Sequence, residues 1–332
     1  MKPQISLDAP TLRANARIWR EYCGVPLRAV VKSDGYGWGF RTIVNTLEKD
    51  VDAFVVADVD EFFAVRALTS RTILTLTDVP ATELSRVLDA GGIPNVSTRE
   101  CLDAVSAWSR ARARIARIRV GIRPSIGWSG IDPPDAAEFG AALAAAGCEV
   151  EAWTHVSAQG GESKQRAIFA ASIAALREAG ANIVGTDIES SANAALGRSR
   201  YSSVRLGAAL FGFRGKRGPV AVKSALRVLA PVVDRLPARG QRVGYGAHFA
   251  PEGGTLAIVR CGYGDGFPRA SGTGDAILFV GMQYTTLVRA EGFAGESIPL
   301  VHAETDLDAL ARASSCAPQE VIVRLGLAAR AR

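Results

Sequence analysis

Eight short runs rich in β-branched residues, each followed by a longer helical pattern, occupy residues 27 to 210 and constrain this chain more than any other feature. The runs are "LRAVVKS", "AFVVADV", "TILTLTD", "IPNVS", "RIRVGIR", "EAWTHVS", "NIVGTDI" and "SVRLGAALF". Between them lie stretches such as "GFRTIVNTLEK", "TRECLDAVSAWSRA" and "SKQRAIFAASIAALREAG". The strand runs are continuously apolar, as in a parallel sheet covered on both faces. Eight strands separated by helices predict a (β/α)8 TIM-type barrel. A doubly wound open sheet is the alternative, but no G-x-G-x-x-G follows the first strand.

Beyond Lys216 the texture changes to short β runs parted by Gly and Pro, with one late helix expected over "DLDALARASS". The expected division is a barrel over 8–216 and a β-rich C-terminal domain over 217–332. The opening strand, within 1–7, is expected to join that second domain.

Composition narrows the function. Hydrophobic residues make up 48% and charged residues 22% of the 332, an ordinary globular balance. The excess of 39 basic over 33 acidic residues is spread along the chain, without the aromatic-studded basic stripe of a nucleic-acid binder. Five cysteines stand far apart with no C-x-x-C pair, which argues against a zinc site or a disulfide framework. No metal is expected. The start "MKPQISLDAP" lacks the apolar core of a signal peptide, and no apolar run reaches membrane-spanning length. A cytoplasmic protein is expected.

The chemistry is sought at the C-terminal ends of barrel strands. There "AVVKSDGYGWGF" delivers Lys32 from a buried strand into a loop with Gly35, Gly37 and Gly39. Lysine is rarely buried without a partner or a task. Either Lys32 snorkels from the strand end, or it forms a Schiff base with an aldehyde cofactor, for which a depressed pKa makes it nucleophilic. The glycines favour the second, because they let backbone approach a bulky ligand. "WTHVS" places His155 after the sixth run, where a satisfied core histidine is the competing account. "VRLGAALFG" places Arg205 in the eighth, beside Gly207, an arrangement suited to an anionic or heteroaromatic ligand. Tyr245 in "VGYGAHF" and Tyr263 in "CGYGDGFPR" are flanked by glycines and, taken singly, say little.

Together these pieces resemble bacterial alanine racemase, a pyridoxal-phosphate enzyme family built from a (β/α)8 barrel and a β domain. "AVVKSDGYGWG" is similar to that family's A-V-V-K-x-x-A-Y-G-H-G, and "GYGDGFPR" to its G-Y-A-D-G-x-x-R. "VGYGAHF", "WTHVSAQGGESKQ" and "VRLGAALFG" resemble three further motifs in the same order, and the likeness runs from "ISLDAPTLRANARIWRE" to "EVIVRLG".

The resemblance implies pyridoxal 5'-phosphate on Lys32, which would also be the base on one face of the substrate. Tyr245 would be the opposite base, reaching into the partner's barrel in a homodimer with shared sites. Tyr36, Ser191 and the backbone N–H groups of Gly207 and Ala208 would hold the cofactor phosphate. Arg205 would meet the pyridine nitrogen, and His155 would link Arg205 to Tyr245. Tyr263 would border the substrate channel, and Met282 would offer a backbone N–H to the substrate carboxylate.

The departures cluster around the substrate. The family's carboxylate-assisting arginine is Trp128 here, and the lysine that supports it aligns with Gly121. The Asp of M-D-Q becomes Gln283, and the tyrosine before the late Glu becomes Gln319. Three readings stay open: an amino-acid racemase of altered specificity, another reaction such as decarboxylation or retro-aldol cleavage, or a weakly catalytic cofactor-binding protein. Retention of both Lys32 and Tyr245 favours the first.

Overall fold

The N-terminal strand β1 (Gln4–Leu7) leads straight into helix α1 (Ala9–Cys23). The Asp8 side chain caps α1 by accepting from the Thr11 N–H, and Gly24, at φ 67°, ends it. This computed structural model describes residues 2–331 except 124–128, 157–160, 189, 192–196, 216–217, 246–247 and 272–276.

Eight strands then follow: β2 (Leu27–Val30), β3 (Ala53–Val56), β4 (Thr72–Asp78), β5 (Gly92–Asn95), β6 (Arg117–Gly121), β7 (Glu149–Trp153), β8 (Asn182–Asp187) and β9 (Val204–Leu206). They pair in the order β8-β7-β6-β5-β4-β3-β2-β9, and every pairing is parallel. The two ends of that path meet where the Ser202 N–H donates to the Thr186 carbonyl at 2.9 Å and the Thr186 N–H to Ser202 Oγ at 3.0 Å. The expected (β/α)8 barrel is therefore the fold, and the open doubly wound sheet is excluded. Each residue of β3 and β5 is buried, as strands covered on both faces must be.

Among the described residues, α-helical segments between these strands are α2 (Lys32–Tyr36), α3 (Phe40–Leu47), α4 (Val59–Arg66), α5 (Ala81–Asp89), α6 (Arg99–Arg112), α7 (Ala136–Ala146) and α8 (Glu162–Glu178). Side-chain caps by Asp58 and Thr98 start α4 and α6. On α1, buried Asn15 gives its amide to the carbonyls of Leu210 and Lys223 at 2.9 and 2.7 Å, and the Trp19 indole N–H donates to the Ala209 carbonyl at 3.1 Å. These bonds fix the short turn after β9.

The C-terminal part is antiparallel. Its spine is β10 (Leu226–Arg239), which pairs with β1, so that Ile5 lies opposite Val228. A small hairpin, β11 (Arg242–Val243) and β12 (His248–Phe249), is followed by β13 (Glu252–Val259), β14 (Ile277–Val280), β15 (Thr285–Arg289) and β16 (Ser297–Val301). Strands β13 and β16 both pair with β10, and β15 joins β13 to β14.

Where one late helix was expected, there are two: α9 (Leu307–Ala313) and α10 (Pro318–Arg330). The β-branched run Val321-Ile322-Val323 reads as strand, but Val321, Ile322 and Leu325 form one buried helical face. Tertiary burial overrides local propensity here. A Cβ built on Gly37 falls 2.9 Å from the Val323 carbonyl, and one on Gly326 falls 2.8 Å from the Gly37 carbonyl carbon. Helix α10 thus packs backbone to backbone against the lysine loop, and both glycines are needed for that approach.

Candidate active site

The lysine loop explains its own glycines. After β2 the chain winds left-handed: Ser33, Asp34, Gly35 and Tyr36 have φ of 57°, 51°, 62° and 56°. For residues with a Cβ this conformation costs about 1–2 kcal/mol each. The turn is held from three sides. Asp34 Oδ1 accepts from the Phe40 N–H at 2.8 Å, Glu61 Oε1 accepts from the Ser33 N–H at 2.6 Å, and Arg330 of α10 pairs with Asp34 Oδ2. Gly37 and Gly39, at φ 82° and 89°, lead the chain out into α3.

Lys32 is half-buried at the start of this turn. Burial pushes its pKa below the usual lysine value and the Arg205 charge adds to that, while the Glu61 carboxylate opposes both. Tyr36 is buried beneath it, and burial drives its phenol pKa up, so the hydroxyl keeps its proton.

Arg205, on β9, is almost wholly buried, with 4% exposure. Its Nη2 donates to the Thr154 carbonyl at 2.7 Å, its Nε lies 2.7 Å from Asp187 Oδ2, and its guanidinium stacks 4.7 Å above the Trp153 ring. Arg119 lies 4.8 Å over the same indole and 3.3 Å from the same Asp187 oxygen. Burial lowers the Arg119 pKa to about 9, against the opposing pull of the Asp187 carboxylate. His155 follows β7 in the same cavity. Burial, with Arg205 and Lys32 nearby, lowers its pKa to about 4, so the imidazole is neutral near pH 7.

At the mouth of β9 the backbone N–H groups of Gly207 and Ala209 both donate to Ser191 Oγ, each at 3.2 Å. Ala208, between them, is buried. A Cβ on Gly207 would fall 2.0 Å from the Tyr36 hydroxyl, so only glycine lets that hydroxyl lie against the turn. Two N–H donors and two hydroxyls converging on one spot form a cradle for a small anion.

Lys32, Tyr36, His155, Ser191, Arg205 and Gly207 all line one cavity of about 400 Å3, together with Gln319 from α10. Tyr245, Tyr263, Met282 and Gln283 do not reach it. They line a second hollow of about 550 Å3 on the β domain, which shares no residue with the first. Tyr245 stands in the turn between β11 and β12 and is 96% exposed. Gly244, at φ 68° and packed on the Phe279 ring, points it outward. Tyr263 is set on a turn where Asp265 Oδ2 accepts from the Gly262 N–H at 3.1 Å and from Arg260 at 2.6 Å. Trp128 lies outside the described residues.

Two acids that bear on the cavity residues Lys32 and Arg205 were missed in the sequence. Glu61 belongs to a D-x-x-E capping pattern, Asp58 to Glu61, that opens α4. Asp187, itself buried, ends β8 with a charge, the same strand-end signal that drew attention to Lys32.

Family models describing the alanine racemase N-terminal domain and C-terminal domain match residues 5–215 and 226–290. A relative from Marinobacter nauticus, named alanine racemase, is 28% identical over 303 residues, covering 86% of this chain and 82% of its own. Among solved structures, alanine racemase from Acinetobacter baumannii superposes with a TM-score of 0.80 at 19% identity over 97% of both chains. Alanine racemase from Bartonella henselae, solved with covalently bound pyridoxal phosphate, gives a TM-score of 0.76 at 19% identity over 98% of this chain and 97% of that one.

Proposed function

The chain belongs to the alanine racemase family, and from that premise we propose that it is a pyridoxal-phosphate-dependent amino-acid racemase acting as a homodimer in the cytoplasm. The observation that carries this reading is the partition of the site. One cavity gathers a lysine of lowered basicity, a buried arginine and an anion cradle, while the second acid–base candidate, Tyr245, stands exposed on another face. The five cysteines, scattered along the chain with no C-x-x-C pair, accord with a reducing compartment.

The residues present fit the cofactor. Lys32 would carry it, Ser191, Tyr36 and the N–H groups of Gly207 and Ala209, with that of Ala208 between them, would hold its phosphate, and Arg205 would meet its ring nitrogen. When bound, pyridoxal phosphate withdraws electrons from the substrate Cα and makes its proton acidic. Lys32 Nζ would then exchange that proton on one face. Inversion needs a second base opposite, and Tyr245 of the partner subunit would supply it at its Oη. A guanidinium donates and does not accept, so Arg205 would leave the ring nitrogen beside it unprotonated, which would temper the electron sink. His155, neutral, would connect Arg205 to the partner's Tyr245 without adding another positive charge. Tyr263, Met282 and Gln283 of the partner subunit would close the substrate side.

Two measurements test the reading. Borohydride reduction of the cofactor-loaded protein should leave the cofactor on the Lys32 peptide, and an unmodified Lys32 overturns the assignment. D- and L-amino acids incubated in deuterated water should invert with deuterium at Cα. A decarboxylated or cleaved product, or no turnover across the panel, sinks the racemase.

A further inference from the structure

Glu61 spans two backbones. Its Oε1 accepts from the Ser33 N–H at 2.6 Å and its Oε2 from the Ala57 N–H at 2.8 Å, so one carboxylate joins the left-handed lysine turn to the segment between β3 and α4. Its own N–H donates to Asp58 Oδ1 at 3.0 Å. An ordinary helix cap needs the bond from the Glu61 N–H to Asp58, with the carboxylate turned back toward the start of the helix, as the Ala57 bond has it one residue before the N-cap. The bond to Ser33, 28 residues away in sequence, serves the lysine loop instead.

We propose that Glu61 is a positioning residue for Lys32, clamping the left-handed turn that aims the lysine into the cavity and supplying the anion its ammonium form faces. The clamp acts on the residue directly after Lys32, where the chain enters four successive left-handed conformations. A carboxylate suits the task because it accepts at both oxygens, whereas a carboxamide accepts at one. Among the described residues, charges that act on Lys32 include Glu61 from α4 and Arg205 from β9, with neutral His155 after β7 and protonated Tyr36 from its own turn. Among them Glu61 is the one that favours the ammonium. It keeps the amine from becoming too weak a base to return a proton.

The proposal rests on Lys32 being the functional lysine, so its test reads Lys32 in the full-length protein stripped of cofactor. The rate of Lys32 acylation by acetic anhydride is followed against pH by peptide mass spectrometry. Glu61→Gln should move the labelling midpoint to lower pH, because an anion beside the ammonium is lost. Asp58→Ala removes the other cap of α4 and should lower Tm while leaving the midpoint at its wild-type place. A midpoint unmoved in Glu61→Gln, or moved equally in Asp58→Ala, overturns the proposal and reduces Glu61 to a helix cap. Hydrogen exchange of the wild-type chain gives a readout independent of any variant. The Ser33 amide should be protected, and exchange at the rate of an open loop rejects the clamp. Neither readout depends on whether the loaded enzyme racemises anything.

Discussion

Arg205 Nε and Asp187 Oδ2 lie 2.7 Å apart, joining the last two strands of the barrel at its core. The same oxygen stands 3.3 Å from Arg119 and 3.7 Å from Arg28, while Glu151 takes Arg28 at 2.5 Å and Arg117 at 2.8 Å. Two carboxylates thus hold four guanidiniums. With Nε 2.7 Å from Asp187 Oδ2 and Nη2 bound to the Thr154 carbonyl, the Arg205 guanidinium is held in place from two sides. Removing one partner of a buried ion pair strands a charge and costs about 3–5 kcal/mol. Asp187→Asn should lower the unfolding free energy in urea by about that much, and pyridoxal phosphate should dissociate faster. A loss below about 1 kcal/mol would mean that Asp187 does not anchor Arg205.

Tyr245 bears on assembly. Since it is 96% exposed and lines a hollow apart from Lys32, a single chain does not bring the two together. Lys32→Ala and Tyr245→Phe should each be inactive alone. Mixed and allowed to exchange subunits, they should recover up to about a quarter of the wild-type activity, from heterodimers with one intact site. Full activity in a demonstrably monomeric preparation would end the shared-site reading.

His155 makes stability depend on pH. Its folded pKa is about 4 against an ordinary 6.5, so the unfolded chain binds its proton first as pH falls. The contribution is fully present above pH 6.5 and is lost as pH drops through about 4. The full shift corresponds to about 3 kcal/mol, reduced to about 2 for the part of the ring that meets solvent. Urea unfolding of wild type and His155→Gln should show parallel stabilities above pH 7 and a steeper loss for wild type between 6.5 and 4. Equal slopes in that window would contradict the buried neutral imidazole.

The barrel was legible because each strand is a short apolar run and each helix a longer one, and eight such alternations leave few other folds. The lysine loop announced itself through three glycines, yet nothing local gives its left-handed hand or the bonds from Glu61 and Asp34 that maintain it. Helix α10 was not anticipated because Val321-Ile322-Val323 has strand propensity, and only packing against the rest of the fold, the lysine loop included, buries one helical side of it. Asp187 went unnoticed because its partners Arg28, Arg119 and Arg205 lie on separate strands, and only closure of the sheet brings them together. Tyr245 could be picked from the motif, but its distance from Lys32 within one chain is a property of the two-part architecture.

We propose that substrate choice rests on Gly121 and its surroundings. A Cβ built there falls 2.7 Å from the Ser129 carbonyl and 3.3 Å from the Trp153 indole, whose N–H donates to Asn95 Oδ1 at 2.6 Å. A lysine at this position has no room, so the supporting group that the family places there has no counterpart. Gly121→Lys should destabilise the fold by about 1–3 kcal/mol through overpacking. Position 128, where the family has its carboxylate arginine, is tryptophan, with one neutral donor and a large apolar face. Alanine has only a methyl group to bind and depends on its carboxylate contacts. A larger side chain can recover part of that loss at about 25 cal/mol per Å2 of apolar area buried. Gln319, at the cavity wall, offers an amide where the family has a tyrosine. L-Alanine should therefore be turned over slowly and a bulkier or more polar amino acid faster. Trp128→Arg alone should not restore alanine turnover fully, because the backbone at Gly121 leaves no space for the arginine's support. If the wild-type protein racemises alanine faster than every other amino acid tested, the substitutions at 121 and 128 do not redirect specificity.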